Sequence, residues 1–149
     1  MISYKVHEKW MYYALKEAEK AEHKNEVPIG AVVIFENNII GRGFNQVESL
    51  KDSTAHAEMI AITSASNFLD NWRLNKCSLY VTKQPCLMCI GSVLNSRLQK
   101  LYYGVHDIES NYNIQDSNFI NKKHLQYIEG GILANECKSI LHKFFIKKR

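Results

Sequence analysis

The sequence predicts an α/β fold in which one β-sheet lies between two layers of helices. Three observations favour this class. The 149 residues, 46% hydrophobic and 23% charged, suit one ordinary globular domain over residues 1–149. Segments with helical spacing of apolar residues and segments with apolar, β-branched runs are both present. The two kinds alternate in the order αββαβαβ(α)βα, which is typical of a three-layer α/β/α sandwich.

The chain begins with an amphipathic helix followed by a β-hairpin. The helix is expected to end near His23, and its apolar stripe repeats every three to four residues: Val6, Trp10, Ala14, Ala18 and Ala21. Ile29 to Phe35 is almost entirely apolar, and Glu36-Asn37-Asn38 offers turn chemistry before a second run from Ile39 to Phe44. This pattern predicts a hairpin with a buried first strand, and Trp10 is interpreted as a core residue.

The middle of the chain predicts two further pairs of helix and strand. Asp52-Ser53-Thr54 supplies N-cap residue types before a helical run from about His56 to Phe68, and Leu79 to Thr82 is a short strand. Pro85 is expected to open a helix that runs to about Leu94, because proline is tolerated in the first turn. A strand from Lys100 to Gly104 follows.

The last third of the chain is less regular. Ile108 to Lys123 is polar, rich in Asn and weakly periodic, which predicts a loop or a short irregular helix. His124 to Ile128 is interpreted as an edge strand, and Leu133 to Phe145 as a final helix. The inward face of that helix is expected to hold Leu133, Cys137, Ile140, Leu141, Phe144 and Phe145.

Hydropathy excludes a membrane-spanning helix. The distribution of charge indicates a basic C-terminal tail whose role stays open. Ile29 to Phe35 is far shorter than the ~20 apolar residues of a spanning helix, and Met1 to Lys5 lacks a secretory signal, so a cytoplasmic location is expected. The net charge is +4. No acidic residue follows Glu136, whereas five basic residues do: Lys138, Lys143, Lys147, Lys148 and Arg149. This tail either complements the dipole of the last helix or contacts phosphate.

Two short segments carry the chemistry: His56-Ala57-Glu58 and, after 26 intervening residues, Pro85-Cys86-Leu87-Met88-Cys89. Cys86 and Cys89 are three residues apart, so on a helix they share a face, and unpaired N–H groups of a first turn favour their thiolates. His56 and Glu58 lie about 200° apart on an ideal helix. They must therefore sit at a helix tip, from which His56 can bind a metal while Glu58 reaches the water side.

One imidazole and two thiolates make three protein ligands. A tetrahedral Zn²⁺ ion then keeps one open position for water, which is the mark of a catalytic site. Cys77, next to a strand, and Cys137, on the apolar face of the last helix, are interpreted as packing residues. A fourth bond from Cys77 would instead make the site structural. Four sparse cysteines in a reducing compartment do not predict a disulfide framework.

The combination of His-x-Glu and Pro-Cys-x-x-Cys is the signature of zinc nucleobase deaminases, and the chain resembles bacterial tRNA-specific adenosine deaminases over nearly its whole length. The segments that carry the resemblance are Trp10-Met11, Glu26 to Val32, Gly41 to Asn45, Thr54 to Glu58, Asn71 to Leu74, Leu79 to Thr82, Asn95 to Arg97, Gly131 to Leu133 and Phe144-Phe145. The resemblance implies a cytidine-deaminase-like fold with a central mixed five-stranded sheet.

The resemblance also implies an activity: hydrolytic deamination of adenosine to inosine at the first anticodon position of an arginine tRNA, by a homodimer that releases ammonia. Glu58 would be the proton shuttle, beside a zinc-bound water. The base pocket would be formed by Val27, Pro28, Asn45 and Ala57. Candidate RNA contacts are Asp107, Phe144, Phe145, Lys147, Lys148 and Arg149. Phe144 and Phe145 are equally compatible with core packing.

The chain departs from the family at two places. Lys83-Gln84 stands where the family usually carries Leu-Glu, which changes the charge beside the metal. Ile108 to Lys123 lacks the family's small-residue run, so RNA contacts made by that loop are not transferred. This divergence keeps open a deaminase of a free base or nucleoside on the same fold.

Two readings from other classes compete with a deaminase. A zinc-binding module that only holds RNA has no need for Glu58 beside an open metal position. A thiol redox protein built on Cys86 and Cys89 leaves His56-Ala57-Glu58 unexplained.

Overall fold

The computed structural model describes residues 4–110, 112–114 and 124–148. Its helices and strands are α1 (Tyr4–His23), β1 (Gly30–Phe35), β2 (Asn38–Phe44), α2 (Val47–Leu50), α3 (Ala57–Leu69), β3 (Ser78–Lys83), α4 (Leu87–Asn95), β4 (Lys100–Val105), β5 (Tyr127–Glu129) and α5 (Ala134–Lys147). Within these described ranges, no helix is long and apolar enough to cross a membrane.

The strands form one mixed sheet in the order β2-β1-β3-β4-β5. β1 is antiparallel to β2 and β3, whereas β3, β4 and β5 are parallel. The hairpin between β1 and β2 turns through Glu36 and Asn37, whose φ angles of 48° and 63° lie in the left-handed region that tight hairpin turns use. Lys83 pairs with Val105, so the carboxyl ends of β3 and β4 meet at one edge of the sheet.

Helices cover both faces of the sheet. On one face, α1 and α5 pack over a cluster that includes Trp10, Met11, Ala14, Val32, Tyr80, Tyr102 and Cys137. On the other face, α3 and α4 pack over a cluster that includes Ala61, Ala65, Leu79, Val81, Ile90 and Val93. Successive β3 residues serve opposite layers, as the period of two requires. The predicted three-layer α/β/α sandwich with a mixed five-stranded sheet is confirmed.

Small residues bring α3 close to the sheet. A Cβ atom on Gly41 would overlap the backbone of Ala61, and one on Gly43 would overlap the backbone of Ala57. Only glycine permits such a close approach of two backbones. This contact fixes the height of α3 above β2, and therefore the place of its N-terminus.

Most predicted elements are confirmed. α1 ends at His23, the hairpin occupies residues 30–44, and β3 and β4 cover the expected segments. Trp10 is buried in the core, as predicted. The strand β5 lies at the sheet edge, although it spans Tyr127–Glu129 instead of starting at His124.

The predicted helix starts need correction by one or two residues. The N-cap of α3 is His56, and Asp52 instead accepts a hydrogen bond from the backbone N–H of Thr54 at 2.8 Å. The N-cap of α4 is Cys86, so Pro85 precedes the helix and is not part of its first turn. In both cases a metal-donor residue, and not a conventional capping residue, stands at the helix tip.

Other differences concern the surface. The single-turn α2 was not predicted. Phe145, expected on the inward face of α5, is 50% exposed, whereas Cys137 and Phe144 are buried. The part of the predicted loop that the structure describes, residues 108–110 and 112–114, contains no helix. The remainder of that prediction, at residues 111 and 115–123, lies outside the described residues.

Candidate active site

The N-termini of α3 and α4 meet and bring three donor atoms together. His56 is the N-cap of α3, Cys86 is the N-cap of α4, and Cys89 lies in the first turn of α4. The Nδ1 atom of His56 lies 3.6 Å from Sγ of Cys86 and 3.5 Å from Sγ of Cys89. All three donor atoms lie within 4.8 Å of one another.

This triangle of donors has the dimensions of a zinc site. Zn–N bonds of about 2.0–2.1 Å and Zn–S bonds of about 2.3 Å at tetrahedral angles separate N from S by about 3.6 Å. The observed separations from His56 Nδ1 match this value. Among the described residues, the group contains no fourth His, Cys, Asp or Glu donor. The three residues therefore fit a zinc ion with one position left for a non-protein ligand.

The two cysteines of the triangle have pKa values shifted in opposite directions. A hydrogen bond from Cys89 lowers the pKa of the Cys86 thiol to about 5, helped by the backbone N–H groups at the start of α4. The same hydrogen bond, together with burial, raises the pKa of Cys89. Cys86 is thus a thiolate already at neutral pH, which is the form that binds metals.

Cys77 and Cys137 lie apart from this group. Burial raises the pKa of Cys77 to about 11 and that of Cys137 to about 12. Both side chains are completely buried in the core clusters. The structure places them where the packing interpretation expects them.

Glu58 lies beside the donor triangle, in the first turn of α3 and only 4% exposed. Burial raises the pKa of its carboxyl group, while hydrogen bonds from its own backbone N–H and from Cys89 act in the opposite direction. Because α3 begins at Ala57, His56 has extended backbone angles of −76° and 154° and Glu58 has helical ones. The change of conformation lets both side chains reach one site, as the helix-tip argument predicts.

A cavity of about 740 Å³ opens onto the site. Most of the predicted site residues line it: Val27, Asn45, His56, Ala57, Glu58, Cys86, Asp107, Phe144, Phe145 and Lys148. Pro28 is buried and Lys147 is exposed; neither lines the cavity. Arg149 lies outside the described residues.

Asn45 presents an unsatisfied acceptor in this cavity. Its Nδ2 donates a hydrogen bond to the carbonyl oxygen of Val27 at 3.3 Å. Its Oδ1 is buried and has no hydrogen-bond partner among the described residues. A buried polar atom without a partner costs free energy unless a ligand supplies one.

Glu26 is a residue of this site that the sequence reasoning missed. Its carboxylate is completely buried and accepts hydrogen bonds from the backbone N–H groups of Glu48 at 2.9 Å and Ser49 at 2.7 Å, and from the Ser49 hydroxyl. Burial opposes its ionisation, but these hydrogen bonds prevail and lower the pKa. Glu26 thereby holds α2 as a wall of the cavity. An acidic residue directly before the apolar run Val27 to Phe35 was the available signal.

The end of α5 forms the opposite wall. The rings of Phe144 and Phe145 meet edge to face with centroids 5.3 Å apart. Lys148 Nζ lies 5.4 Å from the centroid of Phe144. The cavity is also lined by three cations: Lys24, Lys83 and Lys148. Its other lining residues are mainly apolar or acidic.

Comparison with known proteins agrees with this fold and site. The family model described as MafB19-like deaminase matches residues 5–149. The chain is 47% identical over 143 residues to the tRNA-specific adenosine deaminase of Buchnera aphidicola subsp. Schizaphis graminum, covering 94% of each chain. It is 42% identical over 148 residues to that of Haemophilus influenzae, covering 95% of this chain and 84% of the relative.

A solved structure from a study of A-to-I editing by tRNA:A34 deaminases at the wobble position is also similar. Its TM-score is 0.80 at 34% identity, and the match covers 89% of this chain and 99% of that one. Fold and site together define a deaminase. With the relatives above, the chain belongs to the family of tRNA-specific adenosine deaminases.

Proposed function

We propose that this chain catalyses the hydrolytic deamination of adenosine to inosine at the wobble position of tRNA, with release of ammonia. The observation that carries the proposal is the meeting of three metal-donor atoms and the buried Glu58 carboxyl group at one cavity. The relatives' names support adenosine in tRNA as the substrate. The similarity to the tRNA:A34 deaminase supports the wobble position.

His56, Cys86 and Cys89 are proposed to hold Zn²⁺, for which their donor geometry fits. When bound, zinc supplies a Lewis acid that lowers the pKa of a water molecule from about 15.7 to about 7, so that a strong nucleophile exists at neutral pH. The two thiolates and the neutral imidazole carry the charge and softness that zinc prefers.

Glu58 moves the protons of the reaction. Adenosine and water become inosine and ammonia: the water oxygen bonds to C6 of adenine, and the exocyclic C6–N bond breaks. A Glu58 carboxylate oxygen accepts a proton from the water and gives it to a ring nitrogen of the adenine. The regenerated carboxylate then takes the second proton of that water from the oxygen now bonded to C6 and gives it to the exocyclic nitrogen, which leaves as ammonia.

Four residues are proposed to bind the base. The buried Oδ1 of Asn45 is ready to accept a hydrogen bond from a base N–H, because it has no partner among the described residues. The backbone N–H of Ala57 is at the first helical position of α3, so it has no partner within the helix and is free to donate to the ring. Val27 supplies an apolar wall, and the buried Pro28 follows it directly in the chain.

The basic and aromatic rim of the cavity is proposed to bind the anticodon loop. Single-stranded nucleic acids bind where cations meet aromatic rings, because phosphates contact the cations and bases stack on the rings. Phe144, Phe145 and Lys148 supply this combination, and Asp107 lies across the cavity. Lys147 and Arg149 add charge to the same tail. An arginine tRNA as substrate and a cytoplasmic location complete the proposal.

A homodimer is proposed from an exposed apolar face beside α3 and α4. Phe68, Trp72 and Leu87 are each more than half exposed there, and Leu87 and Trp72 border a groove that also contains Met59 and Met88. Such a patch on one molecule is typical of an interface. Leu87→Arg is expected to convert a dimer into a monomer in sedimentation experiments, and an unchanged sedimentation coefficient would contradict the proposal.

The deciding experiment sequences tRNA after incubation with the purified protein and measures ammonia release. An adenosine-to-inosine change at the wobble position is expected, together with binding that weakens steeply as salt rises. Ammonia release from free adenine, adenosine, cytidine or guanine, with unmodified tRNA, would instead support the free-base alternative.

A further inference from the structure

Gln84 joins the end of β4 to the loop that precedes α4. Its side chain is only 7% exposed, although it is polar. Its Oε1 accepts a hydrogen bond from the backbone N–H of Asp107 at 3.1 Å, and its own backbone N–H donates to the carbonyl oxygen of Val105 at 2.9 Å. Gln84 therefore contacts both the last residue of β4 and the segment that follows it.

Tyr112 contributes the other half of this connection. Its hydroxyl group donates a hydrogen bond to the carbonyl oxygen of Pro85, the residue next to the metal donor Cys86. Its ring packs against the core cluster under α3. Two connections thus run between the segment that begins at the end of β4 and the loop before α4, one through Gln84 and one through Tyr112.

The side chain at position 84 makes the first connection as a neutral amide. Its oxygen accepts the Asp107 N–H, and the side chain places no charge beside Cys86.

We propose that Gln84 and Tyr112 are positioning residues for the deamination, because they fasten the segment after β4 to the Cys86 loop and so hold Asp107 at the cavity wall. We call this pair the Gln84–Tyr112 clamp. The inference rests on the proposed function, since it assigns the cavity to the target nucleotide. Both Gln84 and Asp107 line that cavity.

The clamp acts on substrate binding and leaves the chemical step alone. The place of Cys86 is fixed independently, because its carbonyl oxygen accepts the Ile90 N–H at 2.9 Å in the first turn of α4. Loss of the clamp is therefore expected to leave zinc content and kcat unchanged and to raise KM. A higher KM at constant kcat indicates the loss of an interaction that stabilises the ground state and the transition state equally.

The test compares Tyr112→Phe, Gln84→Met and the double variant, with Tyr127→Phe as a matched control that removes a hydroxyl group from the distant edge strand β5. Each single clamp variant is expected to raise KM for an anticodon stem-loop about threefold to tenfold, the equivalent of one hydrogen bond. Because both connections hold the same segment, the double variant is expected to raise KM by less than the product of the two single effects. The control is expected to match the wild type.

Multiplied effects in the double variant, or an unchanged KM with a lowered Tm, would overturn the proposal. Hydrogen exchange of the Asp107 amide in the zinc-loaded protein provides a readout that needs no activity. Faster exchange in Tyr112→Phe and Gln84→Met supports the clamp, and wild-type exchange contradicts it. If exchange responds while the wild type leaves RNA unmodified, the clamp stands and the proposed function fails.

Discussion

The four cysteines form two pairs whose surroundings differ sharply. Cys86 and Cys89 lie at the tip of α4, within reach of His56 and of backbone N–H groups, and the pKa of Cys86 falls to about 5. Cys77 and Cys137 are surrounded by apolar side chains, and burial raises the pKa of each thiol to about 11 and about 12. Burial alone thus raises the pKa of a thiol, whereas at the tip of α4 the hydrogen bond between the two thiols lowers the pKa of Cys86 and raises that of Cys89.

The comparison also explains why the site lies where it does. Two helix N-termini converge there, and each directs unpaired N–H groups and a positive partial charge at the sulfur atoms. The apolar pair sits in the layers that hold the sandwich together. We therefore expect substitutions at Cys86 or Cys89 to change zinc content and activity. Substitutions at Cys77 or Cys137 are expected to change stability.

The largest effect is expected for Cys89→Ala. Removal of a ligand leaves two donors, so zinc binding and turnover should be lost together, by more than about 100-fold, since even outer partners of metal ligands cost about 10–100-fold. Zinc analysis and an inosine assay on the same preparation measure both. A variant that retains one zinc per chain and full turnover would remove Cys89 from the ligand set.

Glu58→Gln separates the catalytic group from the metal donors. The amide keeps the shape of the side chain but cannot take up a proton, so kcat is expected to fall by about 10²–10⁴-fold. Zinc content should stay at one per chain. Turnover near that of the wild type would contradict the assigned proton transfer, and loss of zinc would instead make Glu58 a ligand.

Asn45→Ala tests the cavity side of the site. The variant loses the buried acceptor, and the Val27 carbonyl oxygen keeps only the Ile29 N–H as its donor, so kcat/KM is expected to fall about tenfold or more. Zinc content should not change. Steady-state kinetics with an anticodon stem-loop measure the effect, and wild-type kinetics would show that the base does not contact Asn45.

The smallest effect on activity is expected for Cys77→Ser. Zinc content and turnover should match the wild type, while the free energy of unfolding falls by about 1–2 kcal/mol because a hydroxyl group replaces a buried thiol. Denaturant unfolding of the zinc-loaded protein measures this loss. A drop in zinc content would show that the two cysteine pairs are not independent.

Each half of the candidate metal site could be predicted because its spacing is local. Cys86 and Cys89 share one helical turn, and His56 with Glu58 requires a helix tip. The meeting of the two halves, His56 and Cys86 being 30 residues apart, was expected only from the deaminase signature. The sandwich was predictable because each element carries its own periodicity. The expectation that Asp52-Ser53-Thr54 caps α3 was wrong, because His56 occupies that cap, as Cys86 does in α4.

The walls of the cavity could not be predicted in the same way. Glu26 reaches Glu48 and Ser49, and Tyr112 reaches back to Pro85, across more than 20 residues in each case. No periodicity marks such contacts, since they depend on how strands and loops are placed in space. Phe145 was wrongly expected inside, because it lies about 100° around α5 from its neighbour Phe144, and only Phe144 is buried.

X-ray absorption at the zinc edge of the purified protein tests the central claim most directly. We expect two sulfur atoms at about 2.3 Å, one imidazole nitrogen and one further light atom from water around a single zinc ion. A third sulfur atom, or an active preparation without zinc, would contradict the account.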